Sequence, residues 1–180
     1  MWLRRPREHC PGLPVSHPRT ADLGALLTAL TEAGIDFIVV GGAAAVLHGA
    51  PVTTQDLDIV HRRSDENVRR LLEVLERLDA LFRGDLTGQG LRPSGPMLGG
   101  KGHLLLSSTL GPIDILCEID GGKGHEELLD HTELFTDEHL SFRVLDLPTL
   151  IAVKTRLGRA KDRLMLPVLI ATLEERSRRG

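Results

Sequence analysis

The chain has 180 residues, 41% hydrophobic and 26% charged, which is enough for one globular domain with a buried core and too short for a second full one. A formal net charge of -3 and a pI near 6.2 exclude a global basic field, so any contact with nucleic acid must be local. Two cysteines in unlike contexts, Cys10 and Cys117, give neither a disulfide framework nor a zinc knuckle, and no apolar run approaches the roughly 20 residues of a membrane helix. A soluble, cytoplasmic chain with no membrane partner is expected.

Residues 1–20 carry four of the ten prolines and no apolar period, which suits a flexible leader ahead of a single domain over residues 21–180. Leu23, Leu26, Leu27 and Leu30 repeat at helical spacing, and Gly34 is a natural stop. Asp36 to Val40 reads as a buried strand, broken at Gly41-Gly42 before the helix-forming Ala43 to Leu47. After Pro51, Gln55 to His61 reads as a second strand. Ser64, with Asp65 and Glu66 behind it, opens an amphipathic helix whose apolar stripe is Val68, Leu71, Leu72, Leu75 and Leu78.

Residues 83–102 hold seven glycines and two prolines, and predict a long mobile loop. His103 to Thr109 and Ile113 to Ile119 read as a hairpin, followed by a weak helix over Glu126 to His131 and a strand over Leu140 to Leu145. Two helices close the chain: Leu147 to Leu157, with Pro148 at a permitted early position, and about Lys161 to Glu175. The fold class is therefore α/β (α+β), a mixed sheet flanked by helices with further helices at the C-terminus.

Residues two apart on a strand share a face, so Asp56 and Asp58 present paired carboxylates while Leu57 and Ile59 face the core. Adjacent anions repel unless a cation compensates, and Mg²⁺ or Mn²⁺ suits carboxylates completed by phosphate and water. Asp114 interrupts an apolar strand, where an unpaired carboxylate is strongly disfavoured, so three acids form a metal platform. An Asp-x-Asp pair alone also fits a turn cap or a solvated edge. Gly41-Gly42, between strand and helix, fits a phosphate seat or a purely conformational turn. The ordered combination is what points to chemistry: glycine turn, short helix, acid pair, then a lone acid on a later strand.

Val39-Val40-Gly41-Gly42-Ala43-Ala44-Ala45-Val46-Leu47-His48-Gly49, followed by Thr53-Thr54-Gln55-Asp56-Leu57-Asp58-Ile59, resembles the core signature of the nucleotidyltransferase superfamily. The likeness is to its small bacterial AbiEii-like branch, which includes toxins of toxin–antitoxin pairs, and it runs from about Ile35 to Asp162. The resemblance implies a nucleotidyltransferase-type sheet, with a nucleoside triphosphate on Gly41, Gly42 and Thr54. It implies that Asp56 and Asp58 ligate metal and that Asp114 completes the site, as ligand or as the base for an incoming hydroxyl. Lys154 and Lys161 would meet phosphate, and Asp162 would orient Lys161 or the helix start. A nucleoside monophosphate would pass to a hydroxyl of RNA, protein or a small molecule, and a cognate antitoxin would be a partner.

The chain departs from the branch at Gly42, where many members have serine, and at Val52 and Gln55, where basic residues are common. A domain that binds nucleotide or a partner without turnover therefore stays open. A phosphatase using Asp56 as nucleophile is a further alternative, although polar Thr53-Thr54-Gln55 replace the long apolar strand which that chemistry wants. A nucleotide-sugar acid pair is another, disfavoured by the short chain. His48 fits terminal helix carbonyls or nucleotide, and the run Lys154, Arg156, Arg159, Lys161, Arg163 fits a solvated helix face or a phosphate contact. His61, His103, His125 and His131 have no metal spacing.

Overall fold

A computed structural model describes residues 17–85, 89–137 and 140–179. Most of the expected leader, Cys10 included, lies outside them. The described end of that segment lies against the domain, with His17 Nε2 3.4 Å from Asp79 Oδ2.

Helix α1 (Leu23–Glu32) is capped by Asp22, whose carboxylate accepts from the Ala25 N–H at 3.0 Å, and it buries Leu26, Leu27 and Leu30. Strand β1 (Phe37–Val40) is buried on both faces, as its unbroken apolar run requires. Helix α2 (Gly41–Leu47) begins at the first glycine, without an intervening loop. Strand β2 (Leu57–His61) starts two residues later than expected, so Asp56 stands just before it. Helix α3 (Asp65–Arg77) buries Val68, Leu71 and Leu75 of the predicted stripe, together with Val74.

A two-residue strand β3 (Leu81–Phe82) was not legible in the sequence. The predicted loop beyond it also contains helix α4 (Gly95–Gly99), whose Leu98 is buried. Strands β4 (His103–Ser108) and β5 (Gly111–Leu116) form the expected hairpin. Helix α5 (His125–Leu128) continues as a 3-10 turn over Leu129–His131, then β6 (Thr132–Thr136) pairs with β7 (Ser141–Leu145). Helix α6 (Leu147–Leu157) is capped by Asp146, and α7 (Ala160–Arg179) runs past the expected end with Pro167 inside it.

Among the described residues seven strands make one mixed sheet in the order β3-β4-β5-β2-β1-β7-β6. The pairs β2–β5 and β1–β7 are parallel; β1–β2, β3–β4, β4–β5 and β6–β7 are antiparallel. Helix α3 packs against both α1 and α4, and α6 packs against both α2 and α7. This α/β architecture matches the expected class. Among the described residues no helix is long and apolar enough to cross a membrane.

Candidate functional site

Register brings the acids together. Across the parallel pair, Asp58 of β2 stands abreast of Asp114 of β5, while Val40, the last residue of β1, stands abreast of Asp58 on its other side. Residues abreast on neighbouring strands share a face, so Asp58 and Asp114 project together. Asp56, two residues before Asp58, joins them, and one carboxylate oxygen from each of the three lies within 4.8 Å of the others. At such a spacing each pair of full charges repels by about 3 kcal/mol at an effective dielectric constant of about 20.

Burial first, and neighbouring carboxylates second, raise Asp58 and Asp114. Burial pushes the Asp58 carboxyl up to about 6, helped by the charges of Asp56 and Asp114 and opposed by Lys161 and the Gly42 N–H. Burial also raises Asp114, against the pull of Arg83. Donors consisting of three carboxylate oxygens, hard and partly open to solvent, fit a divalent cation of the Mg²⁺ or Mn²⁺ type, which would relieve this repulsion.

The glycine turn is shaped around the same acids. Gly41 has φ +64°, and a Cβ there would lie 2.1 Å from Asp58 Oδ2, so both conformation and space require glycine. A Cβ on Gly42 would meet Thr54 Oγ1 at 2.6 Å. The Thr54 hydroxyl in turn donates towards Asp56, to its carbonyl at 3.1 Å and to its Oδ1 at 3.2 Å. Gly41, Gly42, Thr54, Asp56, Asp58 and Asp114 therefore form one neighbourhood.

The lysines divide. Lys161, at the start of α7, is close enough for its charge to act on Asp58. Lys154 points elsewhere. It is buried, and its ammonium donates to Asp162 Oδ1 at 3.0 Å. Asp162, fully buried, also accepts from Arg159 Nε at 2.7 Å. Asp162, expected to orient Lys161 or the helix start, thus joins α6 to the first turn of α7 through Lys154 and Arg159. Of the basic run, Arg156 pairs with Asp120, so three of its members already serve internal acids.

Arg83 is the site residue that sequence reasoning missed. It follows β3, its guanidinium is ion-paired with Asp114, and its Nη1 lies 3.9 Å from Asp56 Oδ2. The available signal was Leu81-Phe82 between a helix end and Gly84, too short a run to predict a strand.

Three of the histidines are structural. His48 Nε2 donates to the Leu145 carbonyl at 2.8 Å, its Nδ1 accepts from Arg176, and burial lowers its pKa. His61 donates to the Leu98 carbonyl at 3.1 Å and is pushed down to about 4 by burial, and His125 donates to Asp36 Oδ1 at 2.9 Å. Cys117 is a buried free thiol whose sulfur accepts from the Gly102 N–H.

No family model matches the chain, and no curated protein does. Among solved structures it is similar to a Thermotoga maritima protein named a "putative nucleotidyltransferase", at 15% identity and a TM-score of 0.49, over 81% of this chain and 88% of that one. A likeness at that level leaves the side chains themselves to carry the chemistry.

Proposed function

We propose that the protein is a metal-dependent nucleotidyltransferase that moves a nucleoside monophosphate from a nucleoside triphosphate to an acceptor hydroxyl. The observation that carries this reading is the convergence of Asp56, Asp58 and Asp114 beside a turn where Gly41 has positive φ and no room for a side chain against Asp58. Asp56 and Asp58 hold Mg²⁺ or Mn²⁺, and Asp114 completes the platform as a ligand or as the base for the hydroxyl. A divalent cation there supplies charge neutralisation to the triphosphate and to the oxygens entering and leaving. Gly41, Gly42 and Thr54 hold the triphosphate close to the acids, and Lys161 adds a positive charge on the same side. Lys154 acts at one remove, fixing α6 against α7 through Asp162 and so placing Lys161. The acceptor oxygen attacks the α-phosphorus, the bond to the β-phosphate oxygen breaks, pyrophosphate leaves, and the hydroxyl proton passes to Asp114 or solvent. Positioning and electrostatics do most of this work.

On the same reading the acceptor hydroxyl belongs to RNA, protein or a small molecule, and a cognate antitoxin is the chain's partner. A second reading, nucleotide binding without turnover, is favoured by one observation: Arg83 already engages Asp114. The phosphatase alternative fares less well, because Asp56 precedes β2 and does not follow a long strand.

Labelled triphosphates with Mg²⁺ and candidate acceptors separate these readings when wild type is compared with Asp58→Ala. Acceptor labelling lost in the variant supports transfer, and binding without labelling supports the second reading. Labelling unchanged by the substitution removes the acids from the mechanism.

A further inference from the structure

The row of residues that carries Asp58 and Asp114 continues across the sheet. Leu105 of β4 stands abreast of Asp114, and the pairings Leu81↔Ser107 and Phe82↔Leu106 bring the next residue, Arg83, abreast of Leu105. The Arg83 N–H fixes that register by donating to the Leu105 carbonyl at 2.8 Å. Its long side chain crosses the intervening strand and sets the guanidinium against Asp114, with Asp56 3.9 Å away. A charged donor fork matched to a carboxylate is geometrically specific and cannot be discharged by losing a proton.

We infer that Arg83 is a built-in cation that takes the place of one of two metal ions, so that the site holds a single divalent cation between Asp56 and Asp58. This rests on the metal platform proposed above. The Arg83 guanidinium already engages Asp114 and reaches towards Asp56, so the carboxylate oxygens on that side of the cluster are met by a cation of the chain itself. The ion pairs of Arg83 run to Asp114 and Asp56, while Asp58 faces Gly41 and the Gly42 N–H. The seat left for metal is therefore on the glycine-turn side, where triphosphate is expected. Of the two roles proposed above for Asp114, this excludes the metal ligand and leaves the base, held by Arg83. Arg83 is a positioning and neutralising residue.

Mn²⁺ binding to the full chain, followed by the electron spin resonance signal of free Mn²⁺, tests this in wild type, Arg83→Gln and Arg83→Gln/Asp114→Asn, each checked for folding by circular dichroism. One Mn²⁺ per chain is expected in wild type, two in Arg83→Gln, and one again in the double variant. Two ions in wild type, or one in Arg83→Gln, overturns the inference while leaving the metal platform standing. No saturable binding in any of the three folded proteins overturns both.

Discussion

Two aspartates drawn in from the surface of this molecule are treated oppositely. Asp162 is surrounded by more cation than anion: Lys154 and Arg159 both hydrogen-bond it, and their pull outweighs the burial that would raise it, leaving its pKa low. Around Asp58 burial is not offset: it is the main cause that raises the carboxyl, Asp56 and Asp114 add to it, and Lys161 opposes it only in part, so its pKa is high. The first is a closed structural cluster and the second an open demand for positive charge. Burial of an acid says little about function; whether the chain supplies the counter-charge says more.

The contrast breaks most visibly on stability. Lys154→Ala leaves a buried carboxylate with one cation instead of two, and should cost about 3 kcal/mol in urea unfolding. An effect within about 0.5 kcal/mol would mean that the closed cluster does not form in solution. Gly41→Ala introduces a side chain at positive φ against Asp58 Oδ2 and should cost about 2 kcal/mol, and it should also weaken metal binding because the carboxylate has to move.

The pH dependence sharpens the contrast. His61 titrates near 4 in the folded chain, below the 6.5 of an unperturbed histidine, so its contribution is fully present above pH 6.5 and is lost as pH falls towards 4. The loss of stability between pH 7 and pH 5 should therefore shrink by roughly 2 kcal/mol in His61→Phe. Asp58 carries the opposite sign: its raised folded pKa favours the folded state at low pH, and that advantage is lost as pH rises through about 6. In excess chelator, Asp58→Asn should gain about 1 kcal/mol over wild type between pH 5 and pH 8, the smallest of these effects. A pH-independent difference would mean that neither burial nor the neighbouring acids raise Asp58.

Much of this site could be read before the fold was known, because its parts are local. Asp56 and Asp58 are two residues apart, and Gly41-Gly42 ends an apolar run so sharply that the turn follows from the composition alone. Asp114 was legible as a polar interruption in an apolar strand. What escaped was set by distant pairing. Arg83 reaches the acids only because β3 exists, and a two-residue strand has no periodicity to read. The family resemblance implied a phosphate contact for Lys154, and nothing in the order of residues shows that Asp162 folds back onto it from the next helix. Strand β6 went unread for a similar reason: Thr132–Thr136 lies at the sheet edge, where Leu134 is exposed and the alternation carries little signal.

The most direct test of the central claim is Mn²⁺ affinity at pH 8 for three folded proteins: wild type, Asp58→Asn, and the control Asp65→Asn on the exposed first turn of α3. Saturable binding in wild type and the control, weakened by a factor of about 100 or more in Asp58→Asn (about 2.7 kcal/mol), is the predicted result. Equal affinity in all three would contradict the assignment of these acids to metal.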